Sequence, residues 1–457
     1  MLYKQIYLVF SCVQYKQGGT IMLLCGMYEM DITPTLGASI PGQMLDKKST
    51  GILDNLYAKS LIIDNGSTVF AILSIDICAI MASQVCEIRK GIRQKTGISV
   101  RNILVAATHT HTGGPCELWA RLYKPDDEYL RFVVQKVVDC AVLAFHGRRL
   151  ALIGFGLGSE QRLSFHRRYR MKDGSIRTNP GVGNKDIVEP DGPIDPDVAV
   201  MRIDDASGSP MGVLTNFSCH LDCVGGTQIS GDYPGELSKI IKEKLGRSVV
   251  SLFLTGACGN INHINFLSED PIRQQHWKWM GALLAEDVLR VREHIQTTRD
   301  FSIQIETTSI HETRREPTEA ELSFMENTLA KSKAELSEVD WWKAMQIFLI
   351  STDRCWSSPL EIELQAVRFG DMSVIAIPNE LFVEYSMEIK QRSPFKNNMV
   401  STLTNGLHGY VPTPSAFKAG GYESTLAYSS CLHADTGGKI VNAVCILLDK
   451  LSKNESA

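Results

Sequence analysis

Val105-Ala106-Ala107-Thr108-His109-Thr110-His111-Thr112-Gly113-Gly114-Pro115 is the stretch from which the rest of the chain can be read. The apolar run before it, from Ile103 to Ala107, has the character of a buried strand, and it runs directly into two histidines spaced i, i+2. Side chains alternate along a strand, so that spacing puts both imidazoles on one face. Gly113-Gly114-Pro115 stops the strand and opens a loop, which sets the histidines at a strand end facing a cleft. Imidazole is the commonest zinc-binding side chain and the usual acid/base near neutral pH. Taken alone, the pair reads either as a metal site or as two hydrogen-bonded histidines at a strand terminus.

The composition sets the class. The chain has 457 residues, 44% of them hydrophobic and 21% charged, enough for a sizeable core. A net charge of -4 gives no footing for nucleic acid or an anionic membrane. The twelve cysteines are scattered, and Cys78, Cys140, Cys219 and Cys445 lie inside apolar runs. They read as buried thiols of a reducing compartment, so a cytoplasmic location is expected. Cys219-His220-Leu221-Asp222-Cys223 lacks the second cysteine pair that a structural zinc knuckle needs. Residues 1–21 read as an N-terminal extension, non-native or disordered. The run Ile6 to Cys12 is too short to span a bilayer and lacks a small-residue cleavage site. No later run reaches about 18 apolar residues, so a soluble chain without stable membrane insertion is expected.

From 22 to 457 neither a repeat nor a low-complexity linker interrupts the chain, and a single domain is expected. The spacing predicts a hairpin over Leu61 to Ile77 about Asn65-Gly66, helices over Ala82 to Lys95 and Asp126 to Phe145, and a strand over Leu150 to Gly156. Residues 162–197, polar and arginine-rich, read as one long functional loop. Strands at Val198 to Ile203, Gly212 to Ser218 and Val249 to Leu254 follow, with a helix over Glu236 to Leu245 between the last two. Long helices are expected over Pro271 to His294 and Pro317 to Leu336, the second as a solvated face. A second hairpin is expected at Ile362 to Arg368 and Met372 to Ile377, a helix start at Glu380, and a closing helix at Lys439 to Leu451. The fold class is therefore α+β, with central mixed β-sheets flanked by helices. The polar clusters at His109/His111, His220, Glu380 and Tyr410 all follow apolar strands or turns, and are expected to converge on one sheet edge. Singly, His220 could be a core histidine, Glu380 a helix-dipole carboxylate, Tyr410 a packing aromatic and Arg167 part of a solvated basic loop.

Over nearly its whole length, from about Met30 to Leu432, the chain resembles the catalytic domain of the neutral/alkaline (non-lysosomal) ceramidase family. Thr108-His109-Thr110-His111-Thr112-Gly113 resembles the family's Thr-His-Thr-His-Ser-Gly motif, and Asp31-Ile32-Thr33-Pro34 its opening strand. Asn216-Phe217-Ser218-Cys219-His220, Ser230-Gly231-Asp232 and Asn379-Glu380-Leu381 resemble later motifs in family order. Gly409-Tyr410-Val411-Pro412-Thr413 and Gly421-Tyr422-Glu423-Ser424-Thr425 resemble its tyrosine segments. The resemblance implies one catalytic Zn²⁺ held by His109, His220, Glu380 and Tyr410. It also implies that His111 acts as base or transition-state partner and that Arg167 and Tyr422 stabilise an oxyanion.

Two departures bear on the substrate. The family's serine segment is Gly259-Asn260-Ile261-Asn262-His263 here, with Asn262 in the serine's place, so a metal-activated water is the expected nucleophile. With residue 457 the last of the sequence, the family's C-terminal β-sandwich is not expected in this chain. With His166, Arg167, Arg168 and Arg170 in one short stretch, a small polar or anionic amide is expected as substrate rather than ceramide. Arg168, Arg170, Asp232 and Asn262 are expected to contact it. The alternatives are a zinc enzyme cleaving or eliminating C–O bonds in a sugar-like or polyol substrate, and a non-catalytic ligand-binding protein. The oligomeric state is not legible.

Overall fold

The computed structural model describes residues 22–42, 47–118, 125–300, 302–331, 335 and 337–453. The expected extension over residues 1–21 lies outside them. Helices and strands mix as expected. The largest sheet has eight strands, in the order Val250–Thr255, Pro210–Phe217, Asp197–Asp205, Arg149–Ser159, Leu24–Asp31, Tyr57–Asp64, Val69–Ile75, Ile103–Ala107. Its inner pairs are antiparallel, while the pair at each edge is parallel. The two edges approach each other. Ser74 Oγ donates to the Phe253 carbonyl at 2.6 Å, and Thr255 Oγ1 donates to the Thr108 carbonyl at 2.7 Å.

A four-stranded sheet, Ile303–Glu312, Leu360–Phe369, Met372–Ala376 and Asn397–Ser401, packs against one face of the large sheet. Leu61, Phe70, Ile72 and Leu104 from the large sheet meet Val367, Phe369, Met372 and Met399 there in one buried cluster. The strands carry apolar residues on both faces because both faces are covered. Helices Ala82–Thr96 and Asp127–His146 bury Val85, Ile88, Val133 and Val137 over one half of the large sheet. Asp232–Leu245 and His276–His294 cover the other half through Leu237, Ile241, Leu284 and Val288. Val383–Arg392 and Thr436–Lys453 cover the small sheet. No described helix is long and apolar enough to cross a membrane.

The periodic segments form close to where their patterns place them, and the exceptions have local causes. Residues 162–197 are not one loop. Arg168–Met171 pairs with Ile176–Thr178 and Ile187–Pro190 in a small antiparallel sheet that buries Tyr169 and Met171 against Phe266. The charge of the arginines hides that alternation. The expected helix over Pro317 to Leu336 runs only Glu319–Leu329, opened by a capping box between Thr318 and Glu321. A further helix, Glu338–Thr352, exposes Val339 and Phe348 and buries Gln346, and so shows no clean helical stripe. Glu380 does not begin a helix. It lies in a two-residue strand, Glu380–Leu381, and the helix starts at Val383.

Candidate metal centre

Segments following strand ends of both sheets build the centre. Strand Ile103–Ala107 delivers His109, and strand Pro210–Phe217 delivers His220. Glu380 and Tyr410 are paired directly, because Glu380–Leu381 and Tyr410–Val411 form a parallel two-strand ladder with that register. His109 has φ +72°, a left-handed conformation uncommon for a residue with a side chain. The i, i+2 strand argument therefore does not hold at this point, since the strand has already ended at Ala107. It is the turn that brings the rings together, with His111 Nε2 at 3.3 Å from His109 Nε2.

The protons can be assigned from the partners. His109 Nδ1 lies 2.7 Å from the Cys78 carbonyl, and His220 Nδ1 lies 3.1 Å from the Cys258 carbonyl. A carbonyl only accepts, so each Nδ1 carries the hydrogen and each Nε2 turns a lone pair inward. The two Nε2 atoms stand 3.1 Å apart, and Glu380 Oε2 is 3.5 Å and 3.9 Å from them. All three residues are buried, and Glu380 Oε2 has no hydrogen-bond partner among the described residues. Three acceptors facing one another without a proton between them repel, and a buried one costs about 1–3 kcal/mol when unpaired. A cation at their focus resolves this, so the donor set fits a metal ion.

The electrostatics agree. Burial, then His109, Arg167 and His111, pushes His220 well below the ordinary imidazole range. Burial and His109 bring His111 down to about 4. Burial alone would raise Glu380, but His109, Tyr410 and Arg167 outweigh it and hold the carboxyl below its usual range. Cys78, His109 and His111 form a second set of candidate ligand atoms, with Cys78 Sγ 3.7 Å from His109 Nδ1. Burial pushes that thiol well up, and the nitrogen it faces already serves the Cys78 carbonyl. The His109, His220 and Glu380 set is the one whose lone pairs converge.

Around it lie some of the other expected residues. Arg167 is 4% exposed, donates to Glu423 Oε1 at 2.8 Å and to the Gly259 carbonyl at 2.5 Å, and stacks 5.3 Å from the Tyr410 ring. Tyr422 packs on Tyr410 at 5.8 Å between ring centroids. Glu423, which no motif argument singled out, pairs with both Arg167 and Arg168. Two adjacent arginines in a segment that turns out buried demand such a carboxylate, and that was the available signal.

The four residues expected to contact substrate have partners within the protein. Arg168 is fully buried and its guanidinium is taken by Glu423, Asp191 and the Gly420 carbonyl. Arg170 projects to the surface and pairs with Glu189. Asp232 spends its carboxylate on the Val224 and Tyr233 backbone N–H groups, shaping the entry to its helix. Asn262 bonds Asn179 and the Ile264 N–H. The arginine run thus makes ion pairs with carboxylates of the chain itself.

Gly259 shows how tightly the centre is supported. A Cβ there would lie 2.5 Å from the Glu380 carbonyl oxygen and 3.0 Å from that of Leu381. Backbone cannot rotate aside. Gly259→Ala is expected to displace Glu380, to destabilise the fold by about 1–3 kcal/mol and to weaken metal affinity about 10–100-fold. Chelator competition and urea unfolding measure the two effects.

The family model for "Neutral/alkaline non-lysosomal ceramidase, N-terminal" matches residues 24–253. The fold is similar to the crystal structure of neutral ceramidase from Pseudomonas aeruginosa, with TM-score 0.73 and 18% identity over 95% of this chain and 75% of that one. It is also similar to a ceramidase complexed with C2, with TM-score 0.70 and 16% identity over 95% and 76% of the two chains. No curated protein sequence matches the chain. With the family model covering half of its length, the chain belongs to the neutral/alkaline non-lysosomal ceramidase family.

Proposed function

We propose that the chain is a zinc-dependent hydrolase of a C–N amide bond, with one Zn²⁺ held by His109, His220, Glu380 and Tyr410. The observation that carries this is the convergence of the two inward Nε2 lone pairs and the orphaned Glu380 oxygen. Two imidazoles, a carboxylate and a phenol suit zinc better than a harder ion. When bound, such an ion polarises a carbonyl and makes water acidic enough to attack near neutral pH.

The chain's own residues supply the rest. His111, beside His109, is placed to take the proton from attacking water and to pass it to the departing amine. Arg167 holds the Tyr410 phenol from one side and brings a fixed positive charge to the site, its direction set by Glu423. Tyr422 adds a phenol hydroxyl beside Tyr410 for the oxygen that gains charge. No serine is needed at position 262. The substrate side of the proposal is a small polar amide. With Arg168 paired to Glu423 and Asp191 and Arg170 to Glu189, a negative charge on the substrate is no part of it.

Incubation with a panel of acyl amides is expected to release free amine in proportion to bound zinc. Stripping the metal should lower that release by about a thousandfold, as about 4 kcal/mol of lost transition-state stabilisation implies, and added Zn²⁺ should restore it. Amine release indifferent to metal, or an altered polyol in place of free amine, would refute the proposal.

A further inference from the structure

A cavity of about 280 Å³ lies beside the segment that carries Tyr410, and the chemistry above makes no use of it. Gly409 and Ser429 form part of its wall, and their carbonyls accept the Glu380 N–H at 2.9 Å and the Tyr410 N–H at 2.7 Å. The described residues that line it include none of the metal-centre side chains. Leu118, Leu360 and Leu407 make the wall partly apolar, and the exposed Cys355 stands at the mouth.

Two donors border this cavity without the partner that each calls for. Gln346 is fully buried on helix Glu338–Thr352. Its Oε1 accepts from the Tyr428 N–H at 3.2 Å, and a backbone N–H only donates, so the other end of the amide is the NH₂ group. That Nε2 has no hydrogen-bond partner among the described residues. Arg314 is the second donor. Its Nη1 donates to the carbonyls of Cys355, Trp356 and Ser358 at 3.4, 2.9 and 3.0 Å, and its guanidinium stands 5.4 Å from the Trp356 ring centroid. All its partners among the described residues are thus neutral. Two carboxylates also border the cavity, and each has donors of its own. Asp353 accepts from the Cys355 N–H at 2.9 Å and the Tyr428 hydroxyl at 3.0 Å, and the half-buried Glu117 accepts from Gln84 Nε2 at 3.3 Å.

We propose that this cavity binds a small carboxylate with a short apolar tail, its oxygens received by Arg314 and by Gln346 Nε2. This ligand is distinct from the amide at the metal centre, and the proposal does not depend on the reaction there. A buried amide N–H left unpaired costs free energy, and an acceptor entering the cavity removes that cost. The fixed guanidinium beside it makes an anionic acceptor the better one, since charge-assisted hydrogen bonds are the stronger kind. The leucines then receive the tail.

Calorimetric titration of hexanoate, 1-hexanol and hexylamine into the full chain tests this. Hexanoate is expected to bind about tenfold tighter than 1-hexanol or more, and hexylamine no tighter than the alcohol. Arg314→Met and Gln346→Met should each weaken hexanoate by about tenfold and leave 1-hexanol within about twofold. Melting curves establish that each variant is folded, and where one is not, the other decides. Bound hexanoate should also slow alkylation of Cys355, followed by peptide mass spectrometry, and should still bind the His220→Ala chain. Hexanoate no tighter than 1-hexanol, or unchanged in the folded cavity variants, overturns the proposal. So does an unprotected Cys355, or binding lost in His220→Ala, which would place the carboxylate on the metal.

Discussion

Replacing His220 with alanine is expected to empty the metal centre and abolish hydrolysis. The two Nε2 atoms at 3.1 Å and the Glu380 oxygen define one focus, and removing His220 takes away a nitrogen that the Cys258 carbonyl has already oriented. Zinc measured by mass spectrometry should fall from about one per chain to a small fraction, and kcat/KM by about a thousandfold or more, equivalent to ~4 kcal/mol. The fold should survive, because the strand Pro210–Phe217 ends before the histidine and its core contacts lie at Val213, Leu214 and Phe217. A variant that keeps stoichiometric zinc would contradict the ligand assignment. Loss of zinc with unchanged turnover would contradict the role of the metal.

Glu423→Gln is expected to have the largest effect on stability. Glu423 is fully buried and its two oxygens bind Arg167 at 2.8 Å and Arg168 at 2.9 Å, with Thr178 Oγ1 donating at 2.9 Å as well. Burial would raise its pKa, but the two guanidiniums prevail and hold it below the ordinary carboxylate range. Neutralising it leaves two buried cations sharing only Asp191, at Arg168. Breaking a buried pair from one side costs about 3–5 kcal/mol, and urea unfolding should show a loss of that order. Hydrolysis should fall too, since Arg167 loses the contact that directs it at Tyr410. Arg170→Ala is the contrast. Its pair with Glu189 is more than half exposed on both sides, and such pairs are worth about 0–1 kcal/mol.

Where a single period governed a segment, the sequence was enough. The hairpin about Asn65-Gly66 and the helix Ala82–Thr96 follow from patterns whose buried faces are uniform. The helix Glu338–Thr352 was not legible because it exposes Val339 and Phe348 while burying Gln346, which blurs the apolar stripe. The sheet at Arg168–Met171 was hidden because Arg168 is buried, against the ordinary behaviour of charge. The convergence of His109, His220, Glu380 and Tyr410 could be anticipated from their places at strand ends. Their pairing could not: Glu380 meets Tyr410 through a two-residue ladder, and His109 reaches its place through a left-handed turn. For the same reason the internal partners of Arg168, Arg170, Asp232 and Asn262 could not be read from the sequence. Each is a polar residue near the site in sequence, and only the fold shows that its hydrogen bonds are already spent.

Anomalous diffraction at the zinc edge, from crystals of the protein purified without added metal, tests the central claim most directly. One peak is expected, within coordination distance of His109 Nε2, His220 Nε2 and Glu380 Oε2, with the Tyr410 hydroxyl completing the protein ligands. Fully occupied protein crystals with no peak at that focus, or with the metal bound elsewhere, would contradict it.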